Sequence, residues 1–206
     1  METPKTLVAL ETNCSAKYAE RRAFAEQTWG RRMPPGYTFE SFDGPRLDVD
    51  DSYPGLCQKT QAICQWAAER DFDYLIKVDD DVYVRTERLK IPDADYAGHC
   101  LPKLPETCLN YCAGCFYWLS RKAFTIIAEA PFRPEWTSAE DQWVGWTLRQ
   151  HGILPVGLPE VVLEPCLCGN CVPDSVPAEW TAYSKWIKWS PDLFREFERR
   201  YSSFQL

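Results

Sequence analysis

Apolar residues fall along this chain in short runs and helical stripes that alternate with each other. Thr6 to Leu10 (TLVAL) is an apolar run of strand length. From Ala16 to Trp29, Ala19, Ala23, Phe24 and Gln27 follow helical spacing with Arg21, Arg22 and Glu26 among the polar positions, and Gly30 is placed to stop the helix. Tyr37 to Phe42 alternates as a strand and ends at the turn signal Asp43-Gly44. Leu56 to Arg70 gives the clearest helix, with Leu56, Thr60, Ile63, Trp66 and Ala67 on one face. Tyr74-Leu75-Ile76-Lys77-Val78 then reads as a central parallel strand, which is covered on both faces and so needs no alternation. Strand, helix, strand, helix, strand predicts an α/β fold with crossover connections.

Beyond Val84 the pattern loosens. Ala113 to Leu119 (AGCFYWL) reads as another buried strand, Arg121 to Glu129 as a helix, and Glu140 to Gln150 as a helix with Trp143, Val144 and Leu148 inward. Ser190-Pro191-Asp192 marks a last helix start, followed by the stripe Leu193, Phe194, Phe197 and Tyr201. No repeat or linker divides the 206 residues, which suffice for one sizeable core, so 1–206 is expected to form a single domain.

Composition narrows the function classes. A formal charge of −7 removes the counterion-release term that drives nucleic-acid binding, so no nucleic acid is expected as a partner. No apolar run reaches the roughly 18 to 20 residues of a membrane helix, and the polar start Met1 to Lys5 does not read as a signal peptide. The expectation is a soluble, cytoplasmic protein or an excised catalytic domain. Ten cysteines are many for that compartment. Free thiols come first among the readings, then a disulfide among Cys166, Cys168 and Cys171, then a zinc site that includes the C-x2-C pair Cys112 and Cys115.

The chemistry concentrates at Asp79-Asp80-Asp81, directly after the central strand, where ligands of open α/β sheets bind. Three consecutive carboxylates beside an apolar strand repel one another unless a cation offsets them; a solvated acidic turn is the plain alternative. An EF-hand is excluded, because the glycine demanded at its sixth position is Val84 here. On extended backbone Asp79 and Asp81 point the same way, and two carboxylates completed by diphosphate oxygens and water suit octahedral Mn2+ or Mg2+.

A set of segments carries a family resemblance in order. The stretch from Phe72 to Val84, which contains the triplet, resembles the DxD segment of the β-1,3-galactosyltransferase and Fringe group. Arg21 to Gly30 is similar to that group's R-R-x-x-x-R-x-T-W-G motif, with Glu26 where an arginine is usual. Asp51 to Thr60 is similar to D-x-Y-x-N-L-x-x-K-T, with Gly55 in place of asparagine. Tyr111 to Ser120 and Glu140 to Gly145 resemble Y-x-x-G-x-x-Y-x-x-S and E-D-V-x-x-G. The resemblance covers roughly residues 6 to 157.

The resemblance implies a GT-A fold, with a mostly parallel central sheet flanked by helices, a nucleotide-binding half of about 1–85 and an acceptor-side half of about 86–206. It implies metal-dependent, inverting transfer of a hexose from a UDP-sugar (UDP-glucose, UDP-galactose or similar) to a hydroxyl of a glycan or glycoprotein. Asp79 and Asp81 would hold the metal. Asp79, Asp80, Gly114, Thr12 and Asn13 would contact the donor. Asp141 would be the base with Glu140 beside it, against a plain role at a helix N-terminus. Arg21 would face the diphosphate or be an exposed helix-face arginine; Asp43 would accept from uracil N3–H or close a turn; Lys59 is equally open. Neither His99 nor His151 is expected on the metal, and a core this small suits a microbial or large-virus member. Two rivals stand beside this reading: a two-metal phosphoesterase or nuclease using Asp79, Asp81, Glu140 and Asp141, and a non-catalytic sugar- or nucleotide-binding module, for which the nine tryptophans would offer stacking surfaces.

Overall fold

The computed structural model describes residues 3–101, 110–131, 139–164, 181–185 and 191–201. Strand β1 (Thr6–Glu11) pairs in parallel with β2 (Tyr37–Phe42) on one side and β3 (Tyr74–Asp79) on the other. Next to β3 comes β6 (Tyr111–Ser120), antiparallel to it, then β5 (Tyr96–Leu101) and the short β7 (Val156–Gly157), giving the order β2-β1-β3-β6-β5-β7. Only β6 runs against the common direction, so the sheet is mostly parallel, as expected.

The continuous apolar runs of β1 and β3 follow from cover on both faces. On one face Leu7, Ala9, Leu75 and Leu119 pack with α3 (Leu56–Ala68), α4 (Arg121–Glu129) and α5 (Glu140–Gln150). On the other, Val8, Leu10, Ile76, Val78 and Trp118 pack with α1 (Ala16–Gln27), α6 (Pro191–Tyr201) and a small sheet. That small sheet, ordered β4-β9-β8, joins β4 (Val82–Val84), β8 (Val161–Glu164) and β9 (Ala182–Lys185). No helix among the described residues is long and apolar enough to cross a membrane.

Helices α4, α5 and α6 span the ranges expected of them, and α3 stops two residues early, at Ala68. The stripe expected on α1 is not the buried one. Ala19 and Gln27 are exposed and Ala25 is buried, because α1 turns Arg21 and Arg22 toward the sheet to meet carboxylates. Electrostatic pairing here overrides apolar periodicity. Strand β5 escapes sequence reading because Gly98 and His99 interrupt its apolar character. The cysteines at 166, 168 and 171, and the capping Ser190, lie outside the described residues.

One irregularity shapes the site. Against β6, Gly98 pairs with Tyr117 but Cys100 pairs with Cys112, so two steps along β5 match five along β6. The extra length lies around Ala113 to Phe116, and such bulges bend a strand and re-aim its groups.

Phe197 is fully buried against Tyr83, with ring centroids 5.5 Å apart, and fastens α6 to the small sheet. Phe197→Ala is expected to lose about 3–5 kcal/mol of stability. A urea-unfolding curve measures this, and a loss below about 1 kcal/mol would show that α6 contributes little to the fold.

Candidate active site

Beyond the carboxyl ends of β1 and β3 lies a cleft of about 420 Å³. Its floor is organised by Lys77, only 3% exposed, in the middle of β3. Alternation along the strand aims Lys77 to the same face as Glu11 of β1, and register places Glu11 opposite Asp79. The ammonium reaches Glu11 Oε2 at 2.8 Å, the Gly114 carbonyl at 2.8 Å and Glu140 Oε2 at 3.7 Å, and also donates to Asp79 Oδ1. Burial by itself lowers a lysine pKa, yet the charges of Asp79, Glu11 and Glu140 outweigh it and hold Lys77 well above its ordinary value. Glu11 Oε1 is buried in the cleft lining without a hydrogen-bond partner among the described residues.

A second buried lysine braces the wall. Lys59, 2% exposed on α3, donates to the Thr12 carbonyl at 2.8 Å and pairs with Asp51. Asp51 also accepts from the amides of Cys14 at 2.6 Å and Gly44 at 3.0 Å. Burial pushes its pKa up, but these donors outweigh burial and hold it below the usual range. The Asp51 carbonyl accepts from the Asn13 side chain, so one residue ties the β1 exit to α3. The family's asparagine has no room at Gly55, where a Cβ would stand 2.3 Å from the Asp50 carbonyl oxygen.

Within the triplet, Asp80 accepts from Thr12 Oγ1 at 2.7 Å, and Arg21 lies 3.4 Å from Asp80 and 3.7 Å from Asp81. Burial and the neighbouring charges of Asp79 and Asp80 push Asp81 up to about 7, and burial also raises Asp80. In the same cleft, the first turn of α5 brings Asp141 against the β6 bulge. Its Oδ2 accepts from the Gly114 amide at 3.3 Å and its Oδ1 from the Gln142 amide at 2.8 Å; burial raises its pKa. Gly114 must lack a side chain here, since a Cβ would come 2.9 Å from Glu140 Oε2. Glu140 turns inward and accepts from Tyr117 Oη, and burial raises its pKa to about 8 against the pull of Lys77.

The cleft thus gathers Thr12, Asn13, Arg21, Lys59, Asp79, Asp80, Asp81, Gly114, Glu140 and Asp141 from six separate segments. Asp43 is not in its lining. It caps the short helix α2 (Gly44–Leu47) by accepting from the Arg46 amide at 3.0 Å, pairs with Arg22 at 2.9 Å, and faces a different groove. Lys59 is committed to Thr12 and Asp51, so it shapes the site from behind. Sequence reading passed over Glu11, Lys77 and Asp51 as site residues. The signal was present: a charged residue inside or at the end of an otherwise buried strand must find partners there.

The donor set can be tested for a divalent cation. Among the described residues no group of three or more His, Cys, Asp or Glu side chains is arranged to enclose a metal. Asp79 and Asp81, with side chains 37% and 31% exposed, instead offer hard carboxylate oxygens at an open rim. That fits a magnesium- or manganese-type ion, which commonly takes one or two carboxylates and completes its shell with substrate phosphate and water.

Residues 43–92 match the galactosyltransferase family model, a span that runs from α2 through the aspartate triplet. Among solved structures, the chain is similar to a glycosyltransferase involved in the glycosylation of the major capsid of PBCV-1, with a TM-score of 0.56 and 13% identity over 95% of this chain and 100% of that one. No curated protein matches the chain by sequence. The structural match bears out the expected glycosyltransferase fold, and the family model bears out the resemblance to galactosyltransferases. Together they support reading the chain as a glycosyltransferase.

The raised pKa of Glu140 carries a sign. Between its ordinary value of 4.5 and about 8 the folded protein keeps a proton that the unfolded chain has released, so stability falls as pH rises through that window. In Glu140→Gln this fall should shrink by roughly 1–3 kcal/mol. Denaturant midpoints at the two ends of the window measure it, and parallel profiles for parent and variant would contradict a buried, protonated Glu140.

Proposed function

We propose that this chain transfers a hexosyl group from a UDP-sugar to a hydroxyl of a glycan or glycoprotein acceptor, with a divalent metal and with inversion. The observation that carries this reading is that the aspartate triplet and Asp141 line one cleft, where the backbone amide of Gly114 donates to Asp141. Asp79 and Asp81 would hold Mn2+ or Mg2+, which when bound supplies Lewis-acid stabilisation of the departing diphosphate. Thr12, Asn13 and Asp80 line the wall where the nucleoside would lie, and Arg21, which now bridges Asp80 and Asp81, can turn toward phosphate oxygens.

Asp141 is the proposed base. Partial burial lifts its pKa toward the working range, while the Gly114 and Gln142 amides fix the direction of its carboxylate. Glu140 would position rather than react, since Tyr117 and Lys77 engage its two oxygens. The same engagement argues against Glu140 as a ligand of a second metal, which a two-metal phosphoesterase would need.

Titration calorimetry is expected to show UDP binding only when Mn2+ or Mg2+ is present, and at least about tenfold more tightly than GDP or CMP. Asp81→Ala should abolish that metal-dependent binding, yet raise the melting temperature of the metal-free protein by relieving like-charge crowding. Equal, chelator-insensitive affinity for the three nucleotides would refute the donor assignment.

Asp141→Asn separates chemistry from binding. Asparagine keeps the shape and one of the two backbone contacts, since its amide oxygen accepts and its amide nitrogen does not, and it cannot accept a proton near neutral pH. Single-turnover transfer should fall by roughly two to four orders of magnitude while UDP-sugar affinity stays near the parent's. A near-parental rate would reduce Asp141 to an acid of the first turn of α5, favoured there by the helix dipole.

A further inference from the structure

Outside the cleft, Cys100 and Cys112 are register partners on the antiparallel β5–β6 ladder. Directly opposed residues in such a ladder have Cα atoms about 4.5–5.5 Å apart, inside the range that a disulfide spans without backbone movement. Both side chains lie on the face covered by α3, α4 and α5, where Cys112 is a core residue and Cys100 packs at the edge of that core. Cys112 spends its amide on Tyr96 Oη at 2.8 Å, and its Cβ faces the β5 backbone at Gly98, where an added Cβ would meet it at 3.0 Å.

We propose that Cys100 and Cys112 form a reversible dithiol–disulfide couple, oxidised by a small disulfide of the glutathione class. The two thiols divide the work. Cys100 is half-buried, and a hydrogen bond from the Cys112 thiol lowers its pKa to about 7, so it carries much of the thiolate near neutral pH. Burial, and donation to Cys100, hold Cys112 as a thiol until it is needed. A low-pKa, reachable cysteine beside a resolving partner is the arrangement that redox-active pairs share.

The Cys100 thiolate attacks one sulfur of glutathione disulfide and releases one glutathione thiolate. Cys112 then loses its proton to that thiolate and attacks the Cys100 sulfur, releasing the second glutathione. Two protein thiols become one disulfide, and one glutathione disulfide becomes two thiols. The bond would close on the strand segment leading into the Gly114 bulge, two residues from the group that orients Asp141. The inference is independent of the sugar-transfer reading.

The test uses the full chain equilibrated in glutathione buffers of graded potential, acid-quenched, alkylated, digested with trypsin and sequenced by tandem mass spectrometry. Expected is a bridge between peptides 91–103 and 104–121 that fragmentation assigns to Cys100 and Cys112 and that reductant removes. The bridge should be missing in Cys100→Ser, whose half-buried position keeps folding intact. The oxidised parent should melt roughly 5 °C above its reduced form, a difference that Cys100→Ser lacks. Free thiols at the most oxidising potential, a bridge assigned to Cys108 or Cys115 instead, or protection of Cys112 by zinc would each overturn the proposal.

Discussion

A lysine ammonium buried within a parallel strand needs its full complement of acceptors, and Lys77 finds them on four elements, its own strand included. Taking a charge out of water costs several kcal/mol even after relaxation, and only close, well-directed partners offset that. Glu11 comes from β1, Asp79 from the end of β3, the Gly114 carbonyl from the β6 bulge, and Glu140 from the first turn of α5. Satisfying one cation therefore fixes the spacing of β1 and β3, the aim of the bulge and the seat of α5. Asp141 follows Glu140, so its place over Gly114 is a consequence of the same contact.

The Asp51–Lys59 pair does similar work for the β1 exit. Its links to Cys14, Asn13, Gly44 and Thr12 place the segment that carries Thr12 against the triplet, where the Thr12 hydroxyl engages Asp80. Glu11, Asp51, Asp79, Asp80, Asp81, Glu140 and Asp141 line the cleft against Arg21, Lys59 and Lys77. Burial is the largest cause of the raised pKa values of Asp80, Asp81, Glu140 and Asp141, and the neighbouring carboxylates add to it at each. A cleft so charged favours a ligand that arrives with a cation, which agrees with the reading of a nucleotide diphosphate carried by a metal.

The sequence by itself determined the α/β class, because the apolar runs at 6–10 and 74–78 and the helical stripe from Leu56 are dictated by two-sided burial and helical geometry. It also singled out Asp79, Asp80 and Asp81 as candidate site residues, since three consecutive acids beside an apolar strand call for a compensating partner, and Asp141 through the resemblance. Tertiary structure decided what those local rules do not contain. The inward face of α1 is set by Asp80 and Asp43, distant partners that outweigh apolar periodicity. Asp43 falls outside the cleft because Arg22 and the α2 amides claim it, and Lys59 stands behind the site because Asp51 does. The bulge at Gly114 and the pairing of Cys100 with Cys112 come from the register of β5 against β6, which depends on how whole strands align and on no single residue in either.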